Sequence, residues 1–435
     1  MRVISPVAIT KWAARSLLCV RKAVIALVVL LAACGNSSTP QAQSSVPPSQ
    51  AANPIPSDSA SPGSSVLPSQ AASPIPSDSA SPGEPSPTPS VAQFGPFPND
   101  QTSPTPTAAN WVITNYPLTT ANTGMSGVGA TSIVVGPDGK LWFTESNALR
   151  LGSLTTSGVL TEFPAKTPGS PAVFPWEMTA GPDGNLWFTA SNENQVVKVT
   201  PSGVLTAYQV PTPNSRPYGI VLGPDRNLWF TEEEGFKVVK LTVDGAFTEY
   251  PVPNSSFITE ITAGPDGNLY FLDGGNVDKM PTSGVITKYR IPYTGWSGPG
   301  ASGLAVGPDG NLWFTESPEN KVVRMTTSGV FTEAKLPPTP VTPMGVTTTY
   351  PQGITAGPDG NLWVTELGND KVARITPSGV ITEIPLPALA PYDAHCVLGN
   401  CHAQPNRIVA GPDGNMWFTM VGGIIGKISL PGPAA

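Results

Sequence analysis

The chain has 435 residues, including 52 prolines and 44 glycines, and only 12% of its residues are charged. Its formal charge is −7, and residues 1–33 contain five basic residues and no acidic ones, so the remainder carries 18 basic against 30 acidic residues. A surface with this balance repels phosphate backbones, which argues against a nucleic-acid partner.

Residues 1–33 are predicted to be a signal peptide. Arg21 and Lys22 precede an apolar run that is too short to span a bilayer core of about 30 Å as a helix, but it suits a secretory signal. The run ends in Leu-Ala-Ala-Cys-Gly at residues 31–35, which resembles a bacterial lipobox and implies lipidation of Cys34. The alternative is an ordinary signal peptide that contains a cysteine. The lipoprotein interpretation predicts an extracytoplasmic protein, anchored to the bacterial cell envelope by lipid on Cys34.

Residues 34–110 are predicted to form a disordered tether rich in Pro, Ser and Ala. The sixteen residues from Pro48 to Gly63 recur almost unchanged from Pro68 to Gly83. Such a segment has too little apolar surface to offset the entropy of ordering it, and its prolines favour an extended chain. We interpret it as a spacer between membrane and domain, with a passive low-complexity insert as the alternative.

Residues 111–435 are predicted to form an all-β domain, a seven-bladed β-propeller. A segment of the form GPDGNLWFTE recurs every 41 to 54 residues, close to the length of a four-stranded blade. Pro-Asp-Gly favours a turn between two short strands, and two further strands complete the unit. The last repeat lacks a fourth strand, whereas residues 111–118 match the pattern of one. The N-terminal strand is therefore expected to complete the last blade and close the ring.

An aromatic residue stands at the centre of every second strand. Its recurrence in all seven repeats favours packing of one sheet on the next over stacking on a ligand. The seven residues are Trp142, Trp187, Trp229, Tyr270, Trp313, Trp363 and Trp417.

Candidate binding residues border the face opposite the GPDGN turns, where the links between blades vary. One set ends the second strand and is acidic in five blades: Glu145, Glu232, Asp273, Glu316 and Glu366. The other set starts the first strand: Trp176, Glu177, Tyr218, Glu260, Gln352, Asn406 and Arg407. A ring of carboxylates would suit a divalent cation or a cationic ligand, but regular recurrence favours capping within each blade. We expect a monomer with a small-molecule or protein partner at this variable face.

Both histidines of the chain flank two of its four cysteines, in the order His395-Cys396 and Cys401-His402. In an exported protein this pattern favours a disulfide between Cys396 and Cys401 that pins the longest link between blades. A Cys₂His₂ metal site is the alternative.

The repeat resembles the virginiamycin B lyase (streptogramin B lyase) family over about residues 111–430. The resemblance rests on GITAGPDGNLWVTE at residues 353–366 and GVITEIPLP at residues 379–387. It implies a propeller enzyme that linearises a cyclic depsipeptide by elimination across an ester, using Mg²⁺. The implied catalytic and metal-binding positions are a Glu-Pro-His-Gly start of the last blade, a Glu after its second strand, and a Pro-His start of the preceding blade.

The matching positions lack those residues. Elimination needs a base for the proton α to the carbonyl, which none of the residues present supplies: Gln404, Asn406, Val421 and Gln352. His395 and His402 are candidate replacements if their loop folds over the channel. The leading hypothesis is therefore a surface lipoprotein that binds a ligand or protein, with no confident cofactor or metal. The alternative is a C–O lyase for streptogramin B-type depsipeptides that uses Mg²⁺, or a related propeller hydrolase.

Overall fold

The computed structural model describes residues 111–119, 130–167, 169–292, 300–337, 349–387 and 402–431. The chain divides into two units, Met1–Ser90 and Val91–Ala435, and every described residue belongs to the second. The predicted signal peptide, the lipidation site Cys34, the tether, and the residues His395, Cys396 and Cys401 lie outside the described residues. Within the described ranges, no helix is long and apolar enough to cross a membrane.

Seven antiparallel four-stranded sheets build the described domain, which confirms the predicted seven-bladed propeller. Blade 1 contains β2 (Ser132–Val135), β3 (Leu141–Glu145), β4 (Arg150–Leu154) and β5 (Leu160–Pro164). Blade 2 contains β6 (Pro175–Ala180), β7 (Leu186–Ala190), β8 (Gln195–Val199) and β9 (Leu205–Gln209). Blade 3 contains β10 (Pro217–Leu222), β11 (Leu228–Glu232), β12 (Lys237–Leu241) and β13 (Phe247–Pro251). Blade 4 contains β14 (Ile258–Ala263), β15 (Leu269–Asp273), β16 (Asn276–Met280) and β17 (Thr287–Arg290).

The remaining blades follow the same order. Blade 5 contains β18 (Ala301–Val306), β19 (Leu312–Glu316), β20 (Lys321–Met325) and β21 (Phe331–Lys335). Blade 6 contains β22 (Pro351–Ala356), β23 (Leu362–Glu366), β24 (Lys371–Ile375) and β25 (Ile381–Pro385). Blade 7 contains β26 (Pro405–Ala410), β27 (Met416–Met420) and β28 (Ile424–Ser429), completed by β1 (Val112–Pro117). The first strands of successive blades contact each other around the whole ring, from β2 to β26 and back to β2, so they are its inner strands.

The N-terminal strand closes the ring as the sequence predicted. β1 pairs antiparallel with β28, from Val112 opposite Ser429 to Pro117 opposite Ile424. Tyr116 of β1 also stacks on Trp417 with ring centroids 5.2 Å apart. The first and last segments of the domain are thereby held in one sheet, which leaves no open edge at the junction.

The aspartate of each GPDG turn binds the aromatic residue four positions later. In blade 1, Trp142 Nε1 donates to Asp138 Oδ1 at 3.0 Å. In blade 4, where tyrosine replaces tryptophan, Tyr270 Oη donates to the corresponding aspartate Asp266 at 2.8 Å. A Cβ on the first glycine of the turn, Gly136, would lie 2.4 Å from the indole, so only glycine fits there. Turn and strand centre are therefore one structural unit.

These aromatic residues form the contacts between blades, which confirms the packing interpretation. All seven side chains are fully buried. Trp142 of blade 1 packs among Met178 and Leu186 of blade 2, and Trp417 of blade 7 packs against Leu141 of blade 1. The hydrophobic core is thus a series of seven clusters, most of them shared by two neighbouring sheets.

Candidate functional site

A β-bulge interrupts the inner strand of blades 2 to 7 where the strand reaches the variable face. In blade 3, Pro217 pairs with Glu232 and Ile220 with Phe230, so the two residues between them leave the regular ladder. The same break occurs in the other five blades. Bulges re-aim side chains. Here they release the second and third residues of each inner strand, where all the candidates predicted at the first strand lie.

The threonine of the recurring Leu-Trp-Phe-Thr segment holds the bulge in place. Thr231 Oγ1 accepts from the Gly219 backbone N–H at 3.0 Å and donates to the Thr259 carbonyl of the next blade at 2.5 Å. In four other blades, the corresponding threonine donates at 2.5–2.9 Å to the backbone carbonyl of the second residue in the inner strand of the next blade. The carbonyl groups held in this way belong to Trp176, Tyr218, Gln352 and Asn406.

Three charged residues from three blades meet across the ring. Arg407 Nη2 of blade 7 donates to Glu177 Oε1 of blade 2 at 2.5 Å and to Glu260 Oε1 of blade 4 at 2.6 Å. Each occupies the third position of its inner strand, and each side chain is less than one fifth exposed. Because blades 2, 4 and 7 are not neighbours, these bonds bridge the central channel at its mouth.

The bridge has two carboxylates for one guanidinium. Burial, and then the charge of Glu177, raise the pKa of Glu260 to about 7, although Arg407 opposes the shift. Burial alone would lower the pKa of Arg407, but the two glutamates raise it above its ordinary value. Arg407 is therefore charged at every relevant pH, whereas Glu260 exchanges its proton near neutrality.

Aromatic rings lie beside the bridge. The rings of Trp176 and Tyr218 have centroids 5.5 Å apart, and Phe174 stacks on Trp176 at 6.0 Å. All three side chains are half-buried. Burial and then the charge of Glu260 raise the pKa of Tyr218, so its phenol stays neutral. We call Trp176, Glu177, Tyr218, Glu260 and Arg407 the mouth cluster.

The remaining two candidates at the inner strands make only local contacts in the described part of the chain. Gln352 Nε2 donates to Ser317 Oγ at 3.2 Å. Asn406 contributes its backbone carbonyl to the bond from Thr365. The mouth cluster therefore contains five of the seven residues predicted at the starts of first strands.

The acidic residues at the ends of second strands lie inside their own blades and do not form a ring at the mouth. All five are at most 4% exposed. In blade 5, Lys321 Nζ lies 2.9 Å from Glu316, 2.6 Å from Glu319 and 2.7 Å from Glu333. In blade 6, Glu366 accepts from Asn369 Nδ2 at 2.6 Å. A basic residue starts the next strand opposite the acidic one in four blades: Arg150, Lys237, Lys321 and Lys371.

Blade 4 reverses one of these charges and adds another. Its fourth strand carries Lys288 where blade 5 carries Glu333, and its third strand carries Asp278 where blade 5 carries Val323. Lys288 binds Asp273 and lies 3.0 Å from Asp278. In blades 2 and 7, the second strand ends in a neutral residue, Ala190 and Met420 respectively, opposite Gln195 and Ile424. A cation thus accompanies the acidic residue wherever it occurs, which indicates an internal ionic group.

Burial leaves some of these carboxyls difficult to ionise. Burial and then Glu249 raise the pKa of Glu232 to about 7, and burial and then Glu383 do the same for Glu366. The described residues include no group of three or more His, Cys, Asp or Glu side chains placed to hold a metal ion.

His402 forms a pair with Asp370 that the sequence did not reveal. His402 Nδ1 lies 2.5 Å from Asp370 Oδ2, while Asp370 Oδ1 accepts from the Gln404 backbone N–H at 2.9 Å. Asn194 in blade 2 plays a similar part, since its Oδ1 accepts from the Ser215 backbone N–H at 2.8 Å. Asp370 in blade 6 thus corresponds to Asn194 in blade 2, because each side chain binds the link to the next blade. The side chain of His402 remains 66% exposed.

The comparisons with known proteins point to one family. The profile of the Virginiamycin B lyase family matches residues 111–350 and 344–435. A streptogramin B lyase structure is 32% identical, with a TM-score of 0.63, and the match covers 74% of this chain and 98% of that one. Virginiamycin B lyase from Staphylococcus aureus is 34% identical, with a TM-score of 0.62 and coverage of 74% and 100%. Its catalytically inactive histidine-to-alanine variant with quinupristin is 33% identical, with the same TM-score and coverage.

More distant structures share the fold alone. The extracellular domain of a putative hybrid two-component system from B. thetaiotaomicron is 16% identical, with a TM-score of 0.53, and the match covers 74% of this chain and 42% of that one. A comparison with curated proteins finds no match.

Proposed function

The chain belongs to the virginiamycin B lyase family, and from that premise we propose that its propeller is a binding module that does not cleave depsipeptides. The carrying observation is the chemistry of the mouth. Asn406 and Gln352 stand where the resemblance implies histidines, and the mouth cluster places Arg407 between two glutamates. A guanidinium held between two carboxylates provides charged groups for binding a ligand, whereas elimination needs a base that is free to accept a proton.

The Mg²⁺ that the resemblance implies does not fit the residues present. Mg²⁺ prefers carboxylate oxygens in octahedral geometry. The positions implied as ligands or catalytic groups offer three amides and one valine: Gln352, Gln404, Asn406 and Val421. The backbone N–H of Gln404 is already bonded to Asp370, and the Gln352 amide to Ser317. We therefore assign no step to a metal.

The protein acts, in this proposal, as a lipoprotein of the bacterial cell envelope. The support is the lipobox-like Leu-Ala-Ala-Cys-Gly, followed by a long segment rich in proline and serine. Replacing Cys34 by serine is expected to release the protein from the membrane fraction. Persistence of the variant in that fraction after a high-salt wash would contradict lipid anchoring.

Quinupristin is the probe for the binding-module proposal, because a family member is known with it. Incubation with purified protein and Mg²⁺, followed by mass spectrometry, is expected to leave the cyclic compound intact. Virginiamycin B lyase from S. aureus serves as the positive control under the same conditions. Linear product that accumulates in proportion to the protein would refute the proposal.

One observation favours the alternative of a lyase or a related hydrolase. Asp370 orients the exposed imidazole of His402, and a carboxylate-oriented histidine is a common general base. If the probe is cleaved, His402→Asn is expected to abolish cleavage, and Asp370→Asn to slow it and shift its pH profile. Cleavage unchanged in both variants would exclude this pair as the base.

A further inference from the structure

We infer that the ligand of the mouth cluster carries a positively charged group on an apolar body. This inference rests on the proposed function, because it names the chemical class that the same site would bind. It does not depend on which natural compound supplies that chemistry.

The mouth cluster contains more negative than positive charge. The bridge has two carboxylates and one guanidinium, and both carboxylates accept from the same nitrogen of Arg407. In the described part of the chain, no second cation is paired with Glu177 or Glu260. One negative charge is therefore uncompensated at the mouth when both are ionised.

The neighbouring residues increase the negative charge. The charges of Glu260, Arg407, Glu177 and Glu233 all act on the pKa of the Tyr218 phenol, so three carboxylates and one guanidinium influence this region. An anionic ligand would enter a negative region in which the guanidinium of Arg407 is already bonded to two carboxylates. Burying the charge of such a ligand there would be costly.

The aromatic side chains of the mouth cluster also favour a cation. Trp176 and Tyr218 present half-buried rings beside the carboxylates. Ring faces attract cations by about 0.5–2 kcal/mol when the cation is partly desolvated. A carboxylate pair next to half-buried aromatic rings therefore suits an organic cation better than a hydrated metal ion.

Proton linkage supplies an independent readout. Ionisation of Glu260 creates the excess charge, and its pKa is about 7. A bound cation stabilises the ionised form, so affinity is expected to rise about tenfold between pH 6 and pH 8. Glu177, Arg407, Tyr218 and Glu233 are the charged or titratable groups that act on this region.

The test uses benzyltrimethylammonium as the probe, with benzyl alcohol and benzoate as neutral and anionic counterparts. Binding to the purified protein is followed by tryptophan fluorescence and by ligand-observed NMR. The cation is expected to bind more tightly than either counterpart. Glu177→Gln and Glu260→Gln are each expected to weaken it about fivefold or more.

Asp244→Asn is the matched control, because Asp244 is exposed in the turn between β12 and β13, on the rim opposite the variable face. If a bridge variant fails to fold, the pH dependence of cation binding to the wild-type protein decides the question. Benzoate or benzyl alcohol binding as tightly as the cation would overturn the inference. So would affinity for the cation that is unchanged from pH 6 to pH 8, or no detectable binding of the cation.

The outcomes separate this inference from the proposed function. Cleavage of quinupristin together with cation selectivity would refute the binding-module proposal alone. Intact quinupristin together with a preference for benzoate would refute the cation inference alone.

Discussion

Glu366 is predicted to destabilise the propeller above neutral pH. Its side chain is fully buried at the end of β23, beside Glu383 and Asn369. Lys371, the cation of this blade, lies 2.5 Å from Glu383. A second ionised carboxylate is therefore poorly compensated, and Glu366→Gln removes that charge while keeping an oxygen that can accept from Asn369.

The size of the effect follows from the pKa of Glu366. Burial and Glu383 raise this pKa from 4.5 to about 7. At about 1.4 kcal/mol per pKa unit, ionising the folded protein costs about 3 kcal/mol more than ionising the unfolded chain. The folded state binds the proton of Glu366 more tightly than the unfolded chain does. The stabilisation that this proton gives to the folded state is therefore complete below pH 4.5 and is lost as the pH rises through 7. Glu366→Gln is expected to raise the free energy of unfolding by about 2–3 kcal/mol at pH 8.5 and to change it little at pH 5.

Equilibrium unfolding in urea, followed by tryptophan fluorescence, measures this difference at both pH values. Glu234→Gln is the control, expected to stay within about 0.5 kcal/mol of wild type because that side chain is about half exposed at the surface. Destabilisation by Glu366→Gln of equal size at pH 5 and pH 8.5 would refute the reasoning. It would mean that Glu366 is ionised and stabilising in the folded protein.

Three further predictions concern the scaffold and the bridge. Deleting residues 111–118 removes β1 and the stacking of Tyr116 on Trp417, so the thermal midpoint of the whole domain should fall, whereas deleting residues 35–110 should leave it unchanged in calorimetry. Thr231→Val removes the hydroxyl that joins blades 3 and 4 and should cost about 1–3 kcal/mol in urea unfolding. Thr248→Val, the same exchange at an exposed position of β13, serves as the control. Arg407→Met leaves two carboxylates unpaired and should cost about 3–5 kcal/mol at pH 8, but clearly less at pH 5, where Glu260 takes up a proton. Equal losses at both pH values would contradict the assigned charges.

The ring was predictable because every blade repeats the same local chemistry. The GPDG turn, the following strand and the Asp138–Trp142 bond all lie within a few residues of one another. Even the closing strand could be found, because residues 111–118 keep the fourth-strand pattern outside the repeats. Because these local interactions recur in all seven blades, they appear as a periodic pattern in a single sequence.

The mouth cluster was only partly predictable. Its residues were identified by their position at the starts of inner strands, but their convergence was not. Arg407 lies 230 positions from Glu177 and 147 from Glu260 in the sequence. Whether these side chains meet depends on the diameter of the ring and on the bulges, and neither leaves a local pattern.

The internal ionic groups did leave a signal. A basic residue follows the acidic one five positions later in four blades, as in Glu316 and Lys321. Reading both positions together would have favoured an ion pair within the blade over a ring of carboxylates. The pairing of His402 with Asp370 had no such signal, because the partner of a link residue depends on how the link folds.

The different charges of blade 4 limit how the blades can be recombined. Moving only β17 into blade 5, in place of β21, would set Lys288 beside Lys321 and leave the donor's Asp273 and Asp278 without their lysine. The third and fourth strands must therefore be transplanted together, with the end of the second. Blades 2 and 7, whose corresponding positions are neutral, are the better recipients for engineered strands. The group of strands that can be exchanged between blades is consequently determined by charge balance across the sheet, although the sequence repeat determines where each strand begins and ends.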